Sequence, residues 1–451
     1  MALLDPQLHP ELEASINSLK IVDAQSDLDE KFRFDLSDHI LQDPETSKGF
    51  VSSVYELSAV EAFGHVVPVK EVRVVDPFVA ADPYTYEKVR NHVQQMEDTI
   101  RSHGYDPLVE RRQRYPYSQE TDSTELRKER RKCNQYTQAW LNDPNVAPLK
   151  AWHGLIPSAV ALGHLTQPWL DRSFDIDNTV MPTTQETTAH LRFVDDAIGI
   201  RNRAVAMEYI AGDHLSNMPS GEKNVIQWLD LASGTAEPAI SAAKQATDEQ
   251  GLDITLTVVD HDANALSFVK SNAEEQGFDG QLNIIEDFIT APAFIDRLEH
   301  KDDGYDVVEN LGFEEYLPER DLDDGLGSDE VGAFKDISIL PNASEFTKTA
   351  FDLVKPGGVL ISGNMVLERP QRNFVFGVVN WPIINARSEE AILRVYKRAG
   401  ILDDPNASIE IFRVTDDITD AHIYDIVKVT KHKIDNHRTI HLPSEALGLS
   451  A

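Results

Sequence analysis

Three aspartates stand near the ends of successive apolar segments in the C-terminal half of the chain, and together they suggest a site for a nucleoside. Asp230 lies in VIQWLDL (225–231), Asp260 ends ITLTVVD (254–260), and Asp287 lies in LNIIEDFI (282–289). A carboxylate at the end of a strand can accept hydrogen bonds from both hydroxyls of a ribose, and another can accept one from an exocyclic amine. Because carboxylates repel phosphates, we expect a neutral or cationic nucleoside.

The turn after Asp230 also argues against a diphosphate ligand. Its small residues let the backbone approach a ligand, and the next helix offers unpaired N–H groups to the same place. A dinucleotide fingerprint G-x-G-x-x-G would put Ala232 first, Gly234 second and Glu237 third, and a carboxylate at the third position repels pyrophosphate. The P-loop pattern G-x-x-x-x-G-K-[ST] does not occur. The residues that we expect to line the ligand here are Ser233, Gly234 and Thr235.

Strands and helices alternate from about residue 190 onward. This alternation predicts an α/β fold with a doubly wound, Rossmann-like parallel sheet and helices on both faces. Such sheets bind ligands at the carboxyl ends of the strands, where the strand order reverses. The predicted helices are 193–215, 238–251, 263–277, 343–358 with its turn, and 388–400. The predicted strands are 225–231, 254–260, 282–289, 305–311 and 359–365, followed by an antiparallel hairpin at 408–414 and 421–429.

Residues 1–190 are less regular, and many prolines interrupt them. Apolar residues near helical spacing predict a helix at 85–104, and VVPVKEVRVV (66–75) is typical of a strand. We therefore predict an N-terminal, mostly helical accessory or cap domain at 1–190, a ligand-binding domain at 191–433 and a C-terminal tail at 434–451.

The region from about 193 to 430 resembles the class I S-adenosylmethionine-dependent methyltransferases. The turn KPGG (355–358) before a strand and the closing hairpin match that family. The family's first motif, acid-x-Gly-x-Gly-x-Gly, has these counterparts here: Asp230, Ala232, Gly234 and Ala236. Within the superfamily, the chain is similar to a bacterial group of methyltransferases with largely unassigned substrates. The shared elements are Ile200 to Arg203, Arg387-Ser388 and Ala399-Gly400.

The resemblance implies S-adenosyl-L-methionine as the cofactor and assigns roles to several residues. Asp260 becomes the ribose acid and Asp287 the adenine acid. Arg201 and Arg203 cannot share a helix face, so only one of them, taken here as Arg203, would bind the amino-acid carboxylate of the cofactor. The other neighbours expected at the cofactor are His261, Asp262 and Phe288, whose ring would cover a purine.

Residues after the fourth and fifth strands of this domain are candidates for handling the substrate. Glu309 would accept a proton and Asn310 would position a nucleophile, which makes these two the catalytic candidates. The acidic segment 302–330 could form a lid. The residues expected to line a substrate pocket are Asn364, Gln371, Trp381 and Arg387.

Three hypotheses about function remain open from the sequence. The first is an enzyme, a methyltransferase acting on a small molecule. The second is a transferase or cyclase of the nicotianamine or azetidine-carboxylate type, which attacks the aminocarboxypropyl carbon and releases methylthioadenosine. The third is a non-catalytic cofactor-binding protein, because alanine replaces two glycines of the first motif.

The composition excludes several other classes of protein. The 451 residues include 42 basic and 76 acidic ones, a net charge of −34, which argues against nucleic acids and anionic membranes as partners. A single cysteine, Cys133, allows no intrachain disulfide, and no histidine spacing typical of a metal site occurs, so we assign no metal. We expect a soluble cytoplasmic protein without a secretory leader or membrane-spanning helix, which acts on a small molecule and could form a homodimer.

Overall fold

The computed structural model describes most of the chain from residue 48 to residue 433. The described residues are 48–104, 107, 135–143, 149–154, 156, 159–166, 185–218, 225–290, 294–298, 303–319, 324, 326, 341–381 and 384–433. The predicted tail at 434–451 and most of the acidic segment after residue 319 lie outside them.

Nine strands of the described residues form one sheet. Its order is β1-β2-β8-β9-β7-β6-β3-β4-β5. Strands β1 and β9 run antiparallel to their neighbours, and the other pairs are parallel. The strands are β1 (Phe50–Ala62), β2 (His65–Val75), β3 (Ile226–Leu231), β4 (Ile254–Asp260), β5 (Gln281–Glu286), β6 (Tyr305–Asn310), β7 (Val354–Met365), β8 (Ala407–Asp416) and β9 (His422–Lys431).

The predicted fold class is confirmed by this strand order. The chain passes outward from β3 through β4 to β5, then returns to the other side of β3 with β6 and β7. The order therefore reverses between β3 and β6, which is the switch point where open α/β sheets bind ligands. All seven residues of β4 are buried, as expected for a parallel strand covered on both faces. The closing antiparallel hairpin is β8 and β9.

The N-terminal part of the chain contributes two strands to this same sheet. A two-residue turn, Phe63-Gly64, with φ of 53° and 80° joins β1 to β2, as in hairpins with two left-handed turn residues. The second strand then pairs with β8. The sheet thus contains residues from both sides of the predicted boundary at residue 190, and the division into separate domains stays a prediction.

Helices cover both faces of the sheet, and the N-terminal helices lie beside the carboxyl end of β7. They are α1 (Pro77–Ala81), α2 (Pro83–Ser102), α3 (Gln135–Asn142), α4 (Leu149–Gly154), α5 (Ala159–Thr166), α6 (Gln185–Phe193), α7 (Asp195–Ser216), α8 (Glu237–Gln250), α9 (Ala263–Gln276), α10 (Ala343–Asp352) and α11 (Glu389–Arg398). No helix within the described ranges is long and apolar enough to span a membrane.

Three apolar clusters hold these layers together. One lies between the sheet and helices α7 to α9, and another lies between the sheet and α10 and α11. The third joins helices α1 to α6 to the first turns of α7 and to residues 365–386, which follow β7. That connection contains a π-helix, Phe374–Val379, whose six residues are all buried. The N-terminal helices therefore pack beside the carboxyl end of β7.

Candidate functional site

The first strand of the site ends in a turn with an unusual backbone. Ala232, Gly234 and Ala236 all have positive φ, at 56°, 56° and 53°. A left-handed residue other than glycine costs about 1–2 kcal/mol, so the two alanines keep a conformation that glycine would take freely. The chain thus retains the backbone shape of a glycine-rich turn at all three motif positions.

The turn is fixed by side chains from two neighbouring elements. Asp260 Oδ2 accepts from the Gly234 N–H at 2.8 Å, and the Thr235 carbonyl accepts from Asn272 Nδ2 of α9 at 2.9 Å. The hydroxyl oxygen of Ser233 is buried and has no hydrogen-bond partner in the described part of the chain. A buried polar atom without a partner is costly, so this hydroxyl marks a place where a ligand can bind.

Asp260 is held ionised at the end of β4. Burial raises its pKa, but hydrogen bonds from His261, the Asp262 N–H and the Gly234 N–H outweigh burial and lower the pKa below its usual value. The hydrogen bond to Asp260 in turn raises the pKa of His261. An ionised carboxylate is a strong acceptor of hydrogen bonds from hydroxyl groups.

The residues after β5 are partly engaged with each other. Asp287 accepts from the Phe288 N–H at 2.7 Å and forms an ion pair with Arg297. Phe288 is 61% exposed, and its ring stacks on that of His261 with centroids 5.0 Å apart. Asp262 caps α9 and accepts from the Asn264 N–H, so its carboxylate is used within the protein.

Asp230 and Glu309 form a buried carboxyl pair at the switch point. Their Cα positions are partners across β3 and β6, and the two side chains share a hydrogen bond. Burial raises the pKa of Asp230 well above its usual value, and the charge of Glu309 raises it further. Since two adjacent carboxylates repel each other, the pair holds a proton at neutral pH. Glu309 Oε2 is buried and has no hydrogen-bond partner among the described residues.

Arg203 reaches this pair from helix α7. Its charge lowers the pKa of Glu309, although burial leaves that pKa raised overall. The guanidinium lies 4.5 Å from the ring centre of Tyr424 and 3.8 Å from Glu315, and its Nη1 has no hydrogen-bond partner in the described part of the chain. A Cβ at Gly312 would lie 2.8 Å from that nitrogen, so glycine leaves the room for it.

Arg201 points to other partners, which agrees with the expectation that only one of the two arginines reaches the site. Its Nε donates to Asp76 at 2.6 Å, and its terminal nitrogens donate to the carbonyls of Leu165 and Arg192. This arginine therefore ties the N-terminal helices to α7.

Asn310 lies inside a buried polar network and does not face open space. Its Nδ2 donates to Ser362 Oγ at 2.9 Å, and its Oδ1 accepts from the Glu314 N–H at 3.2 Å. Ser362 and Thr347 both donate to Glu314 Oε2. The contacts place Asn310 as a support for the segment after β6 and offer no direct argument for its predicted catalytic role.

The four predicted substrate residues differ in their contacts. Arg387 is buried and donates to the carbonyls of Glu314 and Leu317. Gln371, at φ 54°, accepts from the Asp195 N–H. Both polar side-chain atoms of Asn364 are buried and have no hydrogen-bond partner in the described part of the chain.

Trp381 is different, because it lines a cavity. Its indole N–H donates to Tyr316 Oη at 2.9 Å, and its ring forms one wall of an apolar space beside the N-terminal helices.

Among the described residues, no group of three or more His, Cys, Asp or Glu side chains could hold a metal ion.

Sequence reasoning missed two acidic residues directly after β6. Glu314 and Glu315 are almost fully buried; Glu315 accepts from the Met365 N–H at 3.0 Å and faces Arg203. Burial raises the pKa of Glu315 to about 7. The signal was the sequence FEEY (313–316) after a strand, but adjacent acids in a loop are ordinarily solvated, so the pattern alone does not reveal burial.

Comparisons with known proteins give a likeness of fold without a family. No family model and no curated protein matches the chain. The CMeT domain of the citrinin polyketide synthase has a TM-score of 0.41 and 11% identity, covering 94% of this chain and 95% of that one. Magnesium protoporphyrin IX methyltransferase of Synechocystis PCC 6803, solved with bound S-adenosylmethionine, has a TM-score of 0.32 and 12% identity, covering 52% and 83%.

A third structure is of the same kind. An S-adenosylmethionine-dependent methyltransferase from Thiobacillus denitrificans, in complex with S-adenosylhomocysteine, has a TM-score of 0.32 and 12% identity, covering 50% of this chain and 91% of that one. With TM-scores below 0.5, these likenesses do not decide the activity of this chain. The functional argument depends on its own strand order and strand-end residues.

Proposed function

We propose that this chain is an S-adenosylmethionine-dependent methyltransferase that acts on a small molecule. One observation carries the proposal: buried or nearly buried carboxyl groups end β3, β4 and β6 around a turn whose three motif positions are left-handed. Such a site accepts hydrogen bonds and favours positive charge. It suits a cationic nucleoside and opposes a diphosphate.

The chemistry of the unused groups fits this cofactor. Asp260 offers an ionised carboxylate for the ribose hydroxyls, and Ser233 offers a buried hydroxyl. Arg203 Nη1 lies 3.8 Å from Glu315 but has no hydrogen-bond partner among the described residues, so it would bind the carboxylate of the amino-acid part. Glu309 offers an ammonium group a carboxyl oxygen that likewise has no hydrogen-bond partner in the described part of the chain. Asp287 and Phe288 would meet the adenine once Arg297 releases the Asp287 carboxylate.

The role of the protein in the reaction is mainly positioning. S-adenosylmethionine supplies an electrophilic methyl carbon on a sulfonium. The chain holds the acceptor in line with that carbon and excludes water, and orientation of this kind accounts for a large part of such rate accelerations. A strong base is not obligatory, but the Asp230–Glu309 pair can hold or release a proton near neutral pH because burial raises both pKa values.

Product analysis tests the proposal. Purified chain is incubated with S-adenosylmethionine and a panel of small-molecule acceptors, and the nucleoside product is identified by mass spectrometry. We expect S-adenosylhomocysteine. Methylthioadenosine would instead show attack on the aminocarboxypropyl carbon, and cofactor binding without turnover across the panel would show a non-catalytic binding protein.

The Asp260 carboxylate provides a direct test of the cofactor site. Asp260→Asn keeps the size of the side chain and removes the charge, so we expect weaker S-adenosylmethionine binding by about 1–3 kcal/mol, the usual range for a hydrogen bond to a charged group. Glu286→Gln, at the exposed end of β5, is the matched control and should leave the dissociation constant unchanged. Equal affinity for both variants would remove Asp260 from the site. The predicted homodimer and the lid remain predictions.

A further inference from the structure

An apolar cavity lies between the N-terminal helices and the connection after β7. The empty space between its walls is about 400 Å³, including the part open to solvent. The lining is aromatic and aliphatic: Trp140, Leu149, Trp152, Leu165, His190, Leu191, Val194, Asp196, Phe374, Val375, Val379 and Trp381. Three of the five tryptophans of the chain are in this wall.

The walls come from elements that border the proposed cofactor site. Trp381 and the π-helix Phe374–Val379 follow β7, and Asp196 belongs to the first turn of α7, the helix that carries Arg203. Trp381 is joined by its hydrogen bond to Tyr316, one residue after Glu315, which faces Arg203. One wall of the cavity is therefore connected directly to the segment that follows β6.

The backbone of this wall is unusual in a way that often accompanies ligand sites. π-Helices are rare and are frequently found at functional positions. Left-handed residues lie on either side of this one, Gln371 at φ 54° and Asn380 at φ 56°, and each carries a conformational cost that the surrounding packing must offset. The backbone conformation of this connection thus costs some stability. Its residues Phe374, Val375 and Val379 line the cavity.

The charge of the lining selects the class of ligand. The carboxylate among the lining residues, Asp196, forms an ion pair with Arg369, so the cavity presents no uncompensated negative charge to a cation. The rings meet at tilted or edge-to-face angles: Trp152 and Trp381 have centroids 6.2 Å apart, and Trp140 and Phe374 lie 5.6 Å apart at 86°. Aromatic walls in these arrangements favour another aromatic ring.

The polar groups of the wall include His190 and the indole N–H groups of the three tryptophans, of which those of Trp152 and Trp381 donate within the protein. Trp140 is 2% exposed, and its indole N–H has no hydrogen-bond partner in the described part of the chain. We infer that this cavity binds the uncharged aromatic group of the methyl acceptor, with an oxygen of that acceptor accepting a hydrogen bond from Trp140. That the bound compound is the methyl acceptor rests on the proposed function. That the cavity binds an uncharged aromatic compound does not.

Calorimetric titration with 2-naphthol, without cofactor, tests the cavity. We expect binding to the native chain. Val375→Phe fills the cavity and should weaken binding at least tenfold, whereas Val378→Phe, a buried position in the same π-helix that does not line the cavity, should not. Trp140→Phe removes the N–H together with the five-membered ring of the indole, so it should weaken 2-naphthol binding about fivefold more than it weakens naphthalene binding.

Any of four results would overturn the inference. The first two are no binding of 2-naphthol to the native chain, and equal binding of 2-naphthol to the native chain and to Val375→Phe. The other two are found with the native chain: phenyltrimethylammonium binding more tightly than 2-naphthol, or octanol binding as tightly as 2-naphthol. If Val375→Phe fails to fold, the Trp140→Phe comparison decides alone. Cofactor binding is measured separately: naphthol binding without S-adenosylmethionine binding would refute the proposed function and keep the cavity, and the reverse would refute the cavity and keep the function.

Discussion

Replacing Glu309 by glutamine should stabilise the folded chain at pH 8 and have little effect at pH 5. Burial raises the pKa of Glu309 from 4.5 to about 7, so the folded chain holds a proton that the unfolded chain has lost. The folded state then binds more protons than the unfolded state, and the free energy of unfolding falls as pH rises from about 4.5 to about 7. Glutamine does not titrate, so the Glu309→Gln variant does not lose this free energy of unfolding as the pH rises.

The magnitude follows from the pKa difference. One pKa unit is worth about 1.4 kcal/mol, so the carboxyl costs under about 1 kcal/mol at pH 5 and about 3 kcal/mol at pH 8. Removing the charge of Glu309 also lowers the pKa of Asp230, which stabilises the folded chain at pH 8 in the same direction.

Urea unfolding at both pH values measures this difference. The native chain, Glu309→Gln and Glu286→Gln are compared, the last being an exposed glutamate at the end of β5. Buried carboxyls that are not coupled to Glu309 titrate equally in all three chains and cancel in the differences, whereas the change at Asp230 adds to the effect of Glu309→Gln. A stability change in Glu309→Gln that is the same at pH 5 and pH 8, or a loss of stability at pH 8, would refute the buried pair.

Two further predictions concern the backbone. Gly199→Ala should destabilise the fold by several kcal/mol, because the new Cβ would lie 2.5 Å from Ile423 Cβ. In the same helix, the new Cβ of Gly212→Ala meets nothing within 4 Å among the described residues, so this variant should be more stable by about 0.5–1 kcal/mol. Thermal unfolding of both variants tests the pair, and equal shifts in melting temperature would contradict the packing around Gly199. Ala232→Gly should leave the melting temperature unchanged or raise it, since glycine removes the cost of about 1 kcal/mol for a left-handed alanine. Ala243→Gly in α8 should lower the melting temperature. A lower melting temperature for Ala232→Gly would contradict the turn geometry.

The regular half of the fold is predictable from the sequence because each element carries its own boundary signals. The prediction for β4 (254–260) matches the structure, and the helix predicted at 263–277 is Ala263–Gln276, capped by Asp262 and ended by Gly277. Continuous apolar runs and caps act locally, so a single segment shows them.

Three features of the fold and site depend on distant contacts and could not be predicted from local sequence. The first strand, β1, is largely exposed although many of its residues are apolar, and its pairing with β2 places it in the sheet. The pairing of Asp230 with Glu309 depends on the register between two strands 79 residues apart, although both residues were singled out. The burial of Glu314 and Glu315 depends on partners supplied by β7, α10 and α7.

The most direct test of the central claim is calorimetric titration of the purified chain with S-adenosylmethionine and, separately, with the diphosphate NAD. The strand-end carboxylates predict binding of S-adenosylmethionine that Asp260→Asn weakens by about 5- to 150-fold, and no measurable binding of NAD. Binding of NAD by a chain that ignores S-adenosylmethionine would contradict the account.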